Sequence, residues 1–135
     1  MDGMTDRRAG SVAVPAYLSL LGFHVAHVLE EIVGRFVVLH KLGLAGFAAA
    51  NWVLFLIPMA LFYFWLAGRR WALRSSLLYA GLMVLNGLGH IVMTLVTGRY
   101  FDGYAGGLSG IGLAVSGLVL LRSQLRKEPG PAARA

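Results

Sequence analysis

The chain has no cysteine. That absence excludes disulfides, thiolate catalysis, iron–sulfur clusters and cysteine-ligated zinc, and it leaves the redox compartment undetermined. Any metal would have to be held by histidine and carboxylate. Charge is scarce too: Asp, Glu, Lys and Arg make up 13% of the 135 residues, against roughly 25% in soluble domains. Hydrophobic residues reach 58% and the mean hydropathy is +0.71. This composition describes one integral membrane domain. A net charge of +6 would point to nucleic acid in a soluble protein. Here the basic residues fall between apolar runs, so topology explains them and no nucleic-acid partner is expected.

A membrane helix needs about 20 mostly apolar residues. Four segments qualify, at about 12–34, 43–68, 72–97 and 104–121, which predicts an all-α, polytopic four-helix membrane bundle in a single domain. Arg7 and Arg8 precede the first run like the start of a signal peptide. The run is too long for one, and the small-residue patch Ala48-Ala49-Ala50 comes too late, so an uncleaved signal-anchor is expected. Residues 122–135, ending Glu-Pro-Gly-Pro-Ala-Ala-Arg-Ala, read as a disordered tail.

Lys and Arg set the orientation. Nine lie in the N-terminal tail, the second connection and the C-terminal tail; three (Arg35, Lys41 and Arg99) lie in the first and third connections. Both termini are therefore expected in the cytoplasm, in a bacterial inner membrane. Gly103, Gly106, Gly107 and Gly110 form two Gly-x-x-x-Gly pairs at the fourth span. Such pairs let helix backbones approach closely. Packing inside the bundle is the preferred reading, and a homodimer through the fourth span is the alternative.

The first span carries His24, His27, Glu30 and Glu31 within eight positions. Ionisable groups in hydrocarbon cost a few kcal/mol each even on lenient scales, and they usually mark functional sites. On a helical wheel these four fit an arc of about 120°. His27 is i, i+3 to Glu30 and i, i+4 to Glu31, so both carboxylates can approach its ring. Asn86 and His90 in the third span are also i, i+4, and the second span contributes Asn51. Counting from the outer span ends, His27, His90 and Asn51 all lie roughly 10–12 Å deep. Three helices thus bring polar groups to one level.

Neutral histidine and carboxylate are the ligand set of zinc, iron or manganese. Helical bundles build such sites from Glu and His at i, i+3 spacing on facing helices. His-x-x-Glu-Glu also nearly matches His-x-x-Glu-His, a zinc-hydrolase signature whose outer positions bind metal and whose inner Glu is the base. By that analogy His27, Glu31, His90 and His24 are candidate metal ligands. Glu30 is the candidate base, and Asn86 would orient a ligand or polarise a substrate oxygen.

His27-Val28-Leu29-Glu30-Glu31 in the first span, followed by Asn86-x-x-x-His90 and a Tyr/Gly-rich loop, resembles the HXXEE family of small bacterial membrane proteins. The resemblance covers roughly residues 17–120. The family takes its name from the motif, and its function is not established. Carried over by position are His27, Glu30 and Glu31, with Asn86 and His90. Members show Tyr followed by Pro-Gly after the third span, whereas Tyr100–Gly106 here has no proline.

Four function classes follow. The leading one is a metal-dependent membrane enzyme, of hydrolase or oxidoreductase type, acting on a lipid or other small hydrophobic substrate. The others are a metal-free His/Glu proton-transfer isomerase, a small proton-coupled transporter and a haem-binding bundle. The bland reading makes Glu31 an interfacial partner of Arg35 and His24 a satisfied core residue. His40 and Lys41 read as interfacial. Phe62, Tyr63, Phe64, Trp65 and Trp71 read as an aromatic belt. Pro58 is expected to kink the second span.

Overall fold

A computed structural model describes residues 2–99 and 107–125, with side chains from residue 12 onward. The order is α1 (Asp2–Val33), α2 (Val37–Leu66), α3 (Arg70–Thr97) and α4 (Leu108–Leu125). No strand occurs among the described residues. All four helices contain a stretch long and apolar enough to cross a membrane. The fourth helix begins later than the hydropathy implied and continues through Arg122–Leu125, four residues into the expected tail. Gly103, Gly106, the Tyr100–Gly106 loop and the rest of the tail lie outside the described residues.

Backbone chemistry explains the breaks. The chain turns after α1 at Arg35, whose φ of 53° is left-handed. The Phe36 amide donates to the Glu31 carbonyl and the Arg35 amide to that of Ile32, which is a Schellman ending with arginine in place of glycine at the left-handed position. The break inside α2 falls at Gly43 (φ 68°, ψ 167°), where the helix separates into a short leading piece and the span proper. Pro58 stays within helix. Gly98 ends α3 in the left-handed conformation, its amide donating to the Thr94 carbonyl.

The main contacts form a ring: α4 packs on α1 and α3, and α2 packs on the same two helices less extensively. α1 and α3 therefore face each other across the bundle. In lipid no hydrophobic effect drives helices together, so close packing must do so. On α3 the buried residues are Ala72, Ser76, Ala80, Val84, Gly87 and His90, a stripe of mostly small side chains at helical spacing. α4 answers with Ser109, Gly110, Ala114 and Gly117. A methyl group on Gly87 would strike the Gly110 carbonyl, and one on Gly110 would lie 2.9 Å from the Gly87 carbonyl oxygen. The backbones meet at this point, so Gly110 is used inside the chain.

The opposite half of the bundle is centred on Tyr17. Its hydroxyl donates to the Pro58 carbonyl at 3.0 Å and lies 3.3 Å from the Ser76 hydroxyl, tying α1 to α2 and α3. Phe62 and Trp65 stack around its ring. Of the expected belt, those two pack inward, while Tyr63 and Trp71 remain exposed.

Candidate metal centre

The first turn of α4 is held against α3 by the Gly87–Gly110 contact, and it reaches α1 at His27 and Glu30. On α1, the i, i+4 spacing lays Glu31 over the His27 ring: Glu31 Oε1 is 3.6 Å from His27 Nε2. From the facing helix, His90 Nε2 lies 3.7 Å from the same oxygen. The two imidazoles meet edge to face, with centroids 4.5 Å apart. One ligand atom from each of the three residues falls within 4.8 Å of the others. His27 and His90 are buried, and the Glu31 side chain is 12% exposed. The Glu31 contacts are thus with two histidines across the bundle rather than with Arg35, which is exposed.

The two ring nitrogens of His27 have different surroundings. Nδ1 is 3.0 Å from the Ser109 hydroxyl. That hydroxyl donates to Glu30 Oε2, which also accepts the Ser109 amide at 3.2 Å. The single proton of Ser109 is committed to Glu30, so its oxygen accepts from His27 Nδ1–H. The proton of the neutral ring then sits on Nδ1, and the lone pair of Nε2 points toward Glu31 and His90. Nε2 is buried and has no hydrogen-bond partner among the described residues. At 3.6 Å, Glu31 is too far to provide one.

The spacing suits a shared ion. Zinc–nitrogen and zinc–oxygen bonds of about 2.1 Å in a tetrahedral site put ligand atoms about 3.4 Å apart, close to the two separations seen. Two histidines and one carboxylate form the three-ligand set of catalytic zinc sites and of non-haem iron centres, which keep a position open for water or substrate. The Glu30–Ser109–His27 chain has the form of the outer-shell partners that fix the tautomer of a ligating histidine. Haem does not fit between His27 and His90, because rings in edge-to-face contact leave no gap for a macrocycle.

The remaining candidates lie elsewhere. His24, also buried, bonds through Nδ1 to the Tyr79 hydroxyl at 3.0 Å and sits edge-on to Phe55; it is not in the three-residue group. Asn86 is half-buried one turn before His90. Asn51 donates to the Phe47 carbonyl at 3.0 Å. His40 and Lys41 are exposed. Phe36, carried over the site by the turn at Arg35, packs on His90 with centroids 5.7 Å apart. Ser109 was not identified from sequence. Its signal was a lone serine near the start of an apolar span, a helix N-terminal preference, obscured by a span start placed four residues early.

Comparison of the chain with protein-family models, with curated proteins and with solved structures finds no match.

Proposed function

We propose that the protein is a metal-dependent integral membrane enzyme of the HXXEE type, acting on a lipid or other small hydrophobic substrate. His27, Glu31 and His90 hold one divalent transition metal (zinc, iron or manganese) between α1 and α3. The observation that carries this reading is His27 Nε2, buried without a partner and facing a carboxylate and a second imidazole. A polar atom left unsatisfied in hydrocarbon is costly, and a metal ion satisfies it.

A bound metal supplies Lewis acidity to water or a substrate oxygen, or a redox centre if it is iron. The chain's own residues do the rest. Ser109 and Glu30 fix the His27 ring from its Nδ1 side. Asn86, one turn from His90, is the amide available to a substrate oxygen. The excess of Lys and Arg on one side supports cytoplasmic termini.

The test is metal analysis of the full chain purified without chelator, beside His27→Ala and Glu31→Ala. About one zinc, iron or manganese per chain, lost in both variants, is expected for a single three-ligand site. Metal-free wild-type protein that takes up none of these ions on addition would overturn the reading.

A further inference from the structure

A cavity of about 230 Å³ lies between α1 and α2; none of the three candidate metal ligands lines it. Val28 and Ile32 line it, each one residue beyond His27 and Glu31. The rest of its wall is apolar apart from two side chains on facing helices, His24 and Asn51. Among the described residues no Asp, Glu, Lys or Arg lines it. The His24 ring has one nitrogen engaged by Tyr79, leaving Nε2 to donate or accept according to tautomer. Asn51 uses one amide hydrogen on the Phe47 carbonyl, leaving its oxygen and second hydrogen. Polar groups at membrane depth call for partners, and an apolar pocket with a few convergent polar groups is the usual form of a ligand site.

We propose that this cavity binds an uncharged amphiphile, an apolar chain bearing a hydroxyl or carbonyl oxygen, with that oxygen toward His24 and Asn51. The absence of charge in the lining selects against carboxylates and amines. The volume is below the roughly 300–1,000 Å³ of drug-sized pockets, so the oxygen-bearing end enters and the remaining chain lies in lipid. The rim supports lateral access: Leu29 and Trp52 line the cavity and are 58% and 65% exposed. α2, the least buried of the four spans, forms the other side. This inference names the substrate class for the metal-site reading above and rests on it for its catalytic meaning, although binding itself does not require the metal.

The probe is a long-chain alcohol carrying a diazirine, photolysed with the full chain in lipid nanodiscs. Labelling should fall on the 24–32 and 48–55 stretches and be competed by the unlabelled alcohol, not by the fatty acid of equal length. Ala48→Phe, which adds a ring to the cavity wall and keeps both polar side chains, and Asn51→Leu should each lower labelling by about tenfold with metal content unchanged. Undiminished labelling in Ala48→Phe, or equal competition by the acid, would overturn the proposal. His27→Ala separates the two readings: it should lose metal and keep the labelling. Labelling retained in wild-type protein that binds no metal would overturn the metal centre alone.

Discussion

His27 Nδ1 and the Ser109 hydroxyl are 3.0 Å apart across the α1–α4 interface, although 82 residues separate them in sequence. Through Ser109 the ring is connected to Glu30, one turn further along its own helix. The two glutamates of the motif therefore serve different ends of one histidine. Glu31 approaches Nε2, and Glu30 holds the hydroxyl that bonds Nδ1. If this bond orients a ligand, Ser109→Ala should weaken metal binding by roughly 10–100-fold, the usual effect of losing an outer-shell partner. Chelator competition on the purified variant measures it, with thermal unfolding as the control for folding. Unchanged affinity would separate Ser109 from the site.

The same contact depends on how closely α4 approaches α3. Gly87→Ala places a methyl group against the Gly110 backbone. It should destabilise the bundle by about 1–3 kcal/mol and lower metal affinity, because Ser109 is the next residue to Gly110. Gly89→Ala meets nothing within 4 Å and should be neutral or stabilising by up to about 1 kcal/mol. Unfolding of both variants in mixed micelles compares them directly.

How much of this was legible in the sequence depended on the kind of signal. Hydropathy alone placed four helices, since hydrocarbon requires long apolar runs. The pairing of the His27 face with His90 followed from spacing and depth, because both ends of each span are set by the same two interfaces. Ser109 was missed because a single hydroxyl has no periodicity, and its role arises from the contact of α4 with α1. His24 was grouped with the ligands because it shares their arc. The structure pairs it with Tyr79 instead, because His24 lies seven residues before Glu31, about 10 Å along the helix, level with Tyr79 and not with His90. The break in α2 falls at Gly43, because a φ of 68° with ψ of 167° ends the helical path, whereas Pro58 lies within continuous helix.

Tyr17 offers a test away from the metal. Tyr17→Phe removes the bonds to the Pro58 carbonyl and to Ser76. A cost of about 0.5–1.5 kcal/mol is expected, with metal content unchanged. Parallel unfolding and metal analysis would show it. Loss of metal in this variant would mean that the two halves of the bundle are coupled more tightly than the packing indicates.

Arg35 separates the site from an ordinary interfacial ion pair. Its left-handed φ of 53° costs an L-residue about 1–2 kcal/mol, so Arg35→Gly should be neutral or stabilising by up to about 1 kcal/mol once the greater chain entropy of glycine is included. Metal affinity should not change. If Arg35→Gly released the metal, the charge of Glu31 would be answered by Arg35, not by the two histidines.

The most direct measurement is X-ray absorption fine structure at the edge of the bound metal, in the wild-type protein and in His90→Ala. The three-residue centre predicts a nitrogen/oxygen shell at about 2.0–2.2 Å with scattering from two imidazoles, falling to one or to complete metal loss in His90→Ala. An imidazole contribution unchanged in His90→Ala would contradict a metal held jointly by His27, Glu31 and His90.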